Sequence, residues 1–362
     1  MEFRPVRQDV EAGRKNRLLL VSPCFGTYGG IEAFVLAVAD AVRAEPDFEV
    51  RICFKKVHGF DLTPGFSEMI RGYPVVFVNR GGWELTNEIR WADVVHLQNA
   101  SPDVVLLAKL FRKHLVLTIH NYMRSGWSLR RWLWRAGARW AEARWYNSEF
   151  VRRTWEGPRL CAGSRKVLTT SRLPQGWVEP ELRRGFVFVG RWIENKGINT
   201  LIEGYAQAAI DRNVWPLTLL GDGPLRPAIE ARLAELGLQN VRVPGFVDDR
   251  TKADYMKNAR WVVVPPHTNE DLGLTPIEGR NLGVPSIITR DGGLPEAGGS
   301  HSLMCDPGDP AGLARLLERA AKMDLAEYRR RAEGTKRELA AQMLPLSFYP
   351  ESYRRLIQGA AA

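Results

Sequence analysis

The chain has 362 residues, of which 45% are hydrophobic and 25% are charged, and its formal net charge is +10 at pH 7. This length is too great for one ordinary hydrophobic core and favours two domains of roughly 150 to 200 residues each. No apolar run approaches the roughly 18 residues that span a bilayer, and residues 1–17 contain no signal-peptide core. The four cysteines lie far apart, which argues against a disulfide framework or a zinc site. We therefore expect a cytoplasmic protein.

Short apolar runs alternate with longer helical patterns along the chain. The runs lie at 18–22, 50–54, 75–78, 93–97 and 115–119, and then at 186–190, 217–221, 241–243, 261–265 and 285–289. Near-continuous apolar strands separated by helices indicate parallel sheets that are covered on both faces. The pattern predicts the α/β class, with two doubly wound Rossmann-like domains.

A stretch rich in Pro, Gly and charge separates the two halves at 173–185, as is typical of a linker. We expect a first domain at 1–172 and a second at 186–345. A last helix follows Pro345 and is expected to cross back onto the first domain, so residues 346–362 are assigned to that domain.

Glycine turns follow several of the predicted strands. Ligands of open α/β sheets bind at the carboxyl ends of the strands, so these turns are candidates for a site. Gly29 and Gly30 would let the backbone approach a ligand closely before a helix begins, although a plain tight turn is the commoner reason for such a pair. Gly190 and Gly221 follow two strands of the second half in the same way.

Two cations come directly after Gly190. Arg191 and Lys196 are five positions apart and lie next to a predicted helix start. Such a pair can hold a diphosphate and stabilise its charge as it leaves, whereas either residue alone could be an ordinary surface charge.

Two carboxylates bracket a further helix start in the second half. Glu270 and Glu278 are eight positions apart, and Gly273 lies between them. The first N–H groups of a helix suit a phosphate, while nearby carboxylates accept hydrogen bonds from sugar hydroxyls. Acidic residues are also common near helix starts as partners of the dipole, so the segment alone is ambiguous.

Five motifs together resemble the retaining GT-B glycosyltransferases of family 4. They are GGIE at 29–32, GR followed by KG at 190–197, GDGP at 221–224, EDLGLTPIE at 270–278 and DGGLPE at 291–296. Their order and spacing match that family over nearly the whole chain. Five ordered motifs are far more specific than any one of them.

The resemblance implies a GT-B fold in which two Rossmann-like domains face a cleft. The second domain would bind a nucleotide-sugar donor, either a UDP- or a GDP-sugar, and the first would lie on the acceptor side. The implied reaction is sugar transfer with retention and no covalent intermediate, to a hydroxyl of a glycan or lipid-linked acceptor. Synthesis of cell-envelope polysaccharide or glycolipid is the expected setting.

The resemblance also assigns residues. In that family the positions of Arg191 and Lys196 bind the donor diphosphate, and that of Glu270 contacts sugar hydroxyls. Glu278 matches a ribose-binding residue, and His120 matches a position that faces the sugar from the acceptor side. Backbone amides of an anion pocket correspond to Gly29, Gly30, Gly273, Leu274 and Thr275.

No metal or other cofactor is expected. The sequence contains no Asp-x-Asp, and Arg191 and Lys196 would neutralise the leaving diphosphate instead. The chain departs from the family pattern at Asn121, where many members have Asp, and at Gln175-Gly176, where many have Asn-Gly.

Residues 124–155 are basic and rich in tryptophan. They contain six of the twelve tryptophans and eight arginines, and all of the excess positive charge lies within residues 1–184. On a helical projection one arc is predicted to be core. This arc consists of Leu129, Trp132, Leu133, Ala136 and Trp140.

A different side of the same predicted helix carries Trp127 and Trp134, flanked by Arg130 and Arg131. Exposed Trp beside Arg suits an anionic membrane surface, although this face could instead pack under a neighbouring loop. We expect this segment to meet lipid or the acceptor and to hold the protein at the inner face of the cell membrane.

Other functions remain open at this point. A basic surface with Trp and Arg could receive nucleic acid, giving a nucleic-acid-directed glycosyltransferase or a non-catalytic binding module. Nucleic acid is the less favoured partner because no RNP, KH or helix-turn-helix signature occurs. A nicotinamide dehydrogenase is disfavoured because the first glycine turn lacks the GxGxxG spacing.

Overall fold

The computed structural model describes residues 14–126, 128–168, 173–268 and 270–359. Within these ranges the chain forms two sheets in which the registered neighbours are parallel. The first sheet has the strand order β3-β2-β1-β4-β5-β6-β7. Its strands are β1 Asn16–Cys24, β2 Phe48–Lys56, β3 Val75–Val78, β4 Val94–Gln98, β5 His114–Ile119, β6 Ala143–Tyr146 and β7 Ser164–Lys166.

The second sheet has the strand order β10-β9-β8-β11-β12-β13. Its strands are β8 Arg184–Val189, β9 Leu217–Leu220, β10 Val241–Gly245, β11 Ala259–Val264, β12 Ser286–Thr289 and β13 Leu303–Cys305. In both sheets the strand order reverses beside the first strand, as in a doubly wound fold. Two Rossmann-like α/β domains are therefore confirmed.

Helices connect the strands, as parallel pairing requires. Those of the first half are α1 Gly30–Arg43, α2 Pro64–Met69, α3 Trp83–Trp91, α4 Pro102–Leu110, α5 Leu129–Arg139 and α6 Glu149–Glu156. Those of the second half are α7 Ile198–Gln207, α8 Arg226–Glu235, α9 Asp249–Asn258, α10 Leu274–Asn281, α11 Leu294–Gly298, α12 Pro310–Lys322, α13 Leu325–Gln342 and α14 Phe348–Ile357. None of the described helices is long and apolar enough to cross a membrane.

Contacts divide the chain into two units. Unit 1 comprises residues 1–119, 127–145 and 345–362, and unit 2 comprises residues 120–126 and 146–344. Helix α14 packs against α1 within unit 1, which confirms that the last helix crosses back to the first domain. The Tyr353 hydroxyl is hydrogen-bonded to His96 Nδ1 at 2.7 Å, and Arg354 pairs with Asp47 at 2.6 Å.

The core of each unit follows from the apolar strands. In unit 1, Leu18 to Val21 of β1 are fully buried, because helices cover both faces of a parallel sheet. In unit 2, the largest fully buried side chains include Trp192 and Trp261. These cores leave the carboxyl ends of the strands free to carry polar loops.

Candidate functional site

The glycine turns after β8 and β9 lie against each other in unit 2. Gly221 has a φ of +110°, and a Cβ at that position would lie 1.9 Å from the Gly190 carbonyl oxygen. Gly223 similarly leaves no room for a Cβ beside the Trp192 backbone. Backbone packing therefore explains Gly221, whereas a Cβ on Gly190 would meet only the Phe188 ring, at 3.2 Å. The contact of either glycine with a donor stays a prediction.

Lys196 lies within an ion pair at the end of the turn that follows β8. Its Nζ is 2.7 Å from Glu270 Oε2, and both side chains are partly exposed. The left-handed φ of +69° at Gly197 ends the turn and begins α7, where a Cβ would overlap the Pro265 carbonyl. The sequence placed these two charges 74 positions apart, and the fold brings them together.

Arg191 lies in the same turn and is exposed. Among the described residues it has no carboxylate within ion-pair distance. The turn therefore offers one paired cation, Lys196, and one cation that is free to meet an anion.

The loop around Glu270 is built by the DGG segment that follows β12. The Glu270 backbone N–H donates to Asp291 Oδ2 at 2.7 Å, and the Glu270 carbonyl accepts from the Gly293 N–H at 2.7 Å. A Cβ on Gly292, whose φ is +53°, would lie 2.1 Å from the same carbonyl. The DGGLPE motif thus fixes the main chain at Glu270.

Helix α10 begins directly after this loop. Gly273 precedes it with a φ of +93°, and no described side chain caps the helix start. The Thr275 hydroxyl donates to the Val189 carbonyl at 3.3 Å, which holds the helix start beside the end of β8. The exposed N–H groups and the helix dipole suit an anionic group there.

Glu278 lies one turn further along α10 and pairs with a residue that the sequence analysis missed. Its Oε1 is 2.9 Å from Lys252 Nζ, which α9 supplies. Burial raises the pKa of Glu278, and the Lys252 charge opposes this rise. No local spacing pattern could have identified Lys252, because α9 and α10 meet only in the folded chain.

His120 lies at the start of a segment that unit 2 holds close to the Glu270 loop. Asn121 Nδ2 donates to Asp271 Oδ2 at 3.1 Å, and the Tyr122 N–H donates to the other oxygen at 2.5 Å. Ser148 donates to the Asp271 carbonyl at 2.7 Å. Through these bonds, the segment that follows His120 lies next to Asp271, the residue after Glu270.

Burial controls the protonation of this region. It lowers the pKa of His120 to about 4, so the imidazole is neutral at pH 7. It raises the pKa of Asp271 to about 6, despite the hydrogen bonds from Tyr122 and Asn121. Asp271 was also missed from the sequence, where it is only the second residue of the EDLGLTPIE motif.

The remaining glycine pair lies in unit 1. Gly29 precedes α1 as its N-cap residue and Gly30 is the first helical residue. Glu32, in the first turn of α1, is buried, and burial raises its pKa. The structure thus places this pair at a helix start after β1, where the Glu32 carboxylate accepts hydrogen bonds from the backbone of Gly29 and Glu32. The contact of the pair with a donor stays a prediction.

The predicted orientation of helix α5 was wrong. Most of the arc assigned to the core is exposed: Leu129, Trp132, Leu133 and Trp140 are between 47% and 60% exposed, and only Ala136 is half-buried. Ala138 is the buried residue of α5. A helical projection shows which residues share a face, but it does not show which face packs against the sheet.

Trp134 and Arg130 lie on another side of α5. Trp134 is half-buried, and the Arg130 guanidinium lies 4.5 Å from the centre of its ring. Arg131 is also half-buried, and its backbone N–H donates to the Ser128 hydroxyl at the helix start. The Trp134 side is therefore more covered than the predicted core arc. Trp127 lies outside the described residues.

Two family profiles match the chain. The profile described as "Glycosyltransferase Family 4" matches residues 28–159, and that described as "Glycosyl transferases group 1" matches residues 170–338. The chain belongs to the family 4 glycosyltransferases. The first match contains Gly29, Gly30 and His120, and the second contains Lys196 and Glu270.

Curated relatives in this family match over part of their length. A 2-deoxystreptamine N-acetyl-D-glucosaminyltransferase of Niallia circulans is 29% identical over 171 residues, which cover 46% of this chain and 43% of the relative. The lipopolysaccharide core biosynthesis glycosyltransferase LpsE of Rhizobium meliloti is 36% identical over 134 residues, or 36% of this chain and 37% of LpsE. The chain thus aligns with less than half the length of these relatives.

Solved structures agree over nearly the whole fold. Anabaena Alr3699/HepE, crystallised in complex with UDP, superposes with a TM-score of 0.77 at 15% identity, over 94% of this chain and 99% of that one. At this identity the likeness shows the fold, which is GT-B. The family 4 profile match and the fold are therefore consistent with each other.

No group of three or more His, Cys, Asp or Glu side chains that could hold a metal ion occurs within residues 14–126, 128–168, 173–268 and 270–359. That the reaction needs no metal ion stays a prediction.

Proposed function

We propose that the protein is a retaining glycosyltransferase that moves a sugar from a nucleotide-diphosphate donor to a hydroxyl of a glycan or lipid-linked acceptor. The ion pair between Lys196 and Glu270, beside the uncapped start of α10, carries the proposal. It offers in one place a cation for a phosphate, a carboxylate for sugar hydroxyls and backbone N–H groups for an anion.

In the proposed mechanism Lys196 and Arg191 bind the donor diphosphate and stabilise its growing charge as the sugar–oxygen bond breaks. Glu270 accepts hydrogen bonds from the sugar, so it orients the ring and transfers no proton. The acceptor hydroxyl attacks from the side on which the diphosphate leaves, and a diphosphate oxygen receives the hydroxyl proton. His120 is neutral at pH 7 and can therefore bind a sugar hydroxyl without adding charge.

Two comparisons support the donor and the setting. HepE was crystallised with UDP, and LpsE acts in lipopolysaccharide core biosynthesis. We therefore expect a UDP-sugar to be preferred over a GDP-sugar, and we place the reaction in bacterial polysaccharide or lipopolysaccharide synthesis.

A donor screen by thermal shift tests this proposal. A ligand present at about 100 times its dissociation constant stabilises the folded state by about 2.7 kcal/mol, which shifts the melting temperature by several degrees. We expect such a shift with UDP or a UDP-sugar, without added metal and unchanged by EDTA. The absence of a shift with every UDP- and GDP-sugar would reject a nucleotide-sugar donor.

The exposed face of helix α5 favours a membrane partner. This face is the arc first assigned to the core, not the Trp134 side that was first expected to meet lipid. The exposed Leu129, Trp132, Leu133 and Trp140 form an apolar face on a helix that contains four arginines and no acidic residue. Aromatic and aliphatic side chains beside arginine suit the interface of an anionic bilayer. We infer that this face binds the membrane from which a lipid-linked acceptor is presented.

Vesicle binding tests the membrane partner. We expect partitioning onto vesicles that contain phosphatidylglycerol, little partitioning onto pure phosphatidylcholine, and a decrease with salt. Replacing Trp132 and Leu133 by Ser should weaken binding at least about tenfold. A matched variant with Trp83→Ser and Leu182→Ser, which removes an exposed Trp and an exposed Leu elsewhere, should bind as the wild type does. Equal losses in both variants would contradict a role for α5.

A further inference from the structure

Unit 1 contains a cavity of about 580 Å³ at the carboxyl ends of its strands. Pro23 of β1, Lys55 of β2 and Leu97 of β4 contribute to its wall. The strand order of the first sheet reverses between β1 and β4, and ligands of doubly wound sheets bind outside the carboxyl ends at such a reversal. The cavity therefore occupies the position in unit 1 where a ligand is expected.

The charge balance of this cavity favours an anion. Lys55 is buried, and its Nζ bonds to Asp103 at 2.6 Å and to the Ser101 hydroxyl at 2.7 Å. Burial disfavours the Asp103 carboxylate, but the bonds from Lys55 and Ser101 outweigh burial and hold its pKa below the ordinary value. The Lys55 charge is thus neutralised within the wall and is not available to a ligand.

Two further cations line the cavity without such compensation. Arg80 and Arg130 both have exposed side chains, and neither lies within ion-pair distance of a described carboxylate. The Arg130 guanidinium is oriented by the Trp134 ring beneath it. Two arginines that face one cavity with no carboxylate partner present their N–H groups to a bidentate anion such as a phosphate.

The main chain at this edge of the sheet also favours an anion in the cavity. Helix α4 begins at Pro102, and both Ser101 and Pro102 line the cavity, so the positive end of its dipole lies there. Asn99, also in the wall, has a φ of +57°, in the left-handed region that few residues other than Gly, Asn and Asp adopt. Such backbone geometry is common where the chain is shaped around a ligand.

Helix α5 connects this cavity to the exposed apolar face. Arg130 and Trp134 line the cavity, whereas Trp132 and Leu133 of the same helix are exposed. An α-helix is only about 10 Å across, so a bilayer in contact with the exposed face would hold its phosphate groups close to the cavity. A ligand with a phosphate joined to a lipid chain would use both features.

We infer that this cavity binds the phosphate or diphosphate group of a lipid-linked acceptor, with Arg80 and Arg130 as its ligands. The inference rests on the proposed function, because it names the class of acceptor for the same reaction. It adds a binding site in unit 1 to the donor residues of unit 2.

Calorimetric titration with farnesyl diphosphate, a soluble lipid diphosphate, tests the inference. We expect binding to the wild type, and at least about tenfold weaker binding when Arg80 and Arg130 are replaced by Ser, because charge-assisted hydrogen bonds are lost. The control variant Arg71→Ser with Arg139→Ser removes two exposed arginines of the same unit and the same net charge. It should bind as the wild type does, and equal losses in the two variants would overturn the inference.

Two control ligands and one control variant test which part of the ligand is recognised and which site binds it. Farnesol, which lacks the diphosphate, should bind far more weakly, and binding as tight as that of farnesyl diphosphate would overturn phosphate recognition. Inorganic pyrophosphate should also bind more weakly, and equal affinity would overturn the assignment to a lipid-linked ligand. Lys196→Ala should leave farnesyl diphosphate binding unchanged; if it alone abolishes binding, the ligand occupies the donor site and the inference fails.

The two proposals can fail separately. UDP binding, measured in the same protein, should be unchanged in the Arg80→Ser and Arg130→Ser variant, because the donor residues lie in unit 2. If the wild type binds UDP but does not bind farnesyl diphosphate, or binds it as tightly without Arg80 and Arg130 as with them, the cavity is rejected and the donor proposal stands. Absence of UDP binding in the wild type would reject the preference for UDP, and absence of binding to every UDP- and GDP-sugar would reject the donor proposal.

Discussion

The two units differ in how their charged side chains are paired. In unit 2, Lys196 pairs with Glu270 and Lys252 pairs with Glu278 across elements that are far apart in sequence. In unit 1, Arg80 and Arg130 face a cavity with no described carboxylate partner. The difference suggests two kinds of site, one in which a ligand must displace or join an existing ion pair and one in which it supplies the missing anion.

The largest expected effect is at the paired cation of unit 2. Lys196→Ala should lower kcat by about 10² to 10³, because a positioned donor to a developing anion contributes that much to transition-state stability. Lys322→Ala, which removes an exposed lysine of α12 in the same unit, serves as the control. Initial rates with a UDP-sugar would measure the effect. Near-normal turnover in a folded Lys196→Ala protein would mean that Lys196 serves only to neutralise Glu270.

The second expected effect is on stability and concerns Lys252. Lys252→Met leaves the Glu278 carboxylate buried without its partner, which should lower the free energy of unfolding by about 2 to 3 kcal/mol. Glu278→Gln in the same chain should restore most of this loss, so a double-mutant cycle would show a coupling between the two residues. Urea unfolding measures all four proteins, and additive losses would show that the pair does not interact.

The Lys252→Met loss should also depend on pH. Burial already raises the pKa of Glu278, and removal of Lys252 raises it further. The folded protein then binds a proton more tightly than the unfolded chain does, so stability is greatest at low pH and falls as the pH rises through the folded-state pKa. The deficit should therefore be larger at pH 8 than at pH 5.

The sequence predicted the fold, and it supplied the candidate donor motifs, because both depend on local order. Three features can be read along the chain: near-continuous apolar strands, glycine turns, and the spacing of Arg191, Lys196, Glu270 and Glu278. Partners were not visible: Lys252 meets Glu278 only through the packing of α9 on the second sheet. The sequence also did not show which face of α5 is buried. The less apolar side packs against α4, and the more apolar arc is left exposed.

A comparable effect on stability is expected at His120. Its pKa falls to about 4 because burial disfavours the imidazolium. The unfolded chain therefore binds the proton more tightly, and stability that is present above about pH 6.5 should be lost as the pH falls towards 4, by about 3 kcal/mol. His120→Asn should lack this part of the pH dependence in urea unfolding at pH 4 to 7. An unchanged profile in the variant would assign the dependence to other groups.

The smallest effect should come from the arginines of the unit 1 cavity. The Arg80→Ser and Arg130→Ser variant loses no described ion pair, so its free energy of unfolding should lie within about 1 kcal/mol of the wild type, as for most surface changes. Arg130 also loses its contact with Trp134, which at an exposed site contributes only about 0.5 to 1 kcal/mol. If the cavity arginines bind a ligand, ligand binding should fall while stability is retained, the reverse of the Lys252→Met result. A loss of stability as large as that of Lys252→Met would show that both units use their cations structurally, and the contrast between them would not hold.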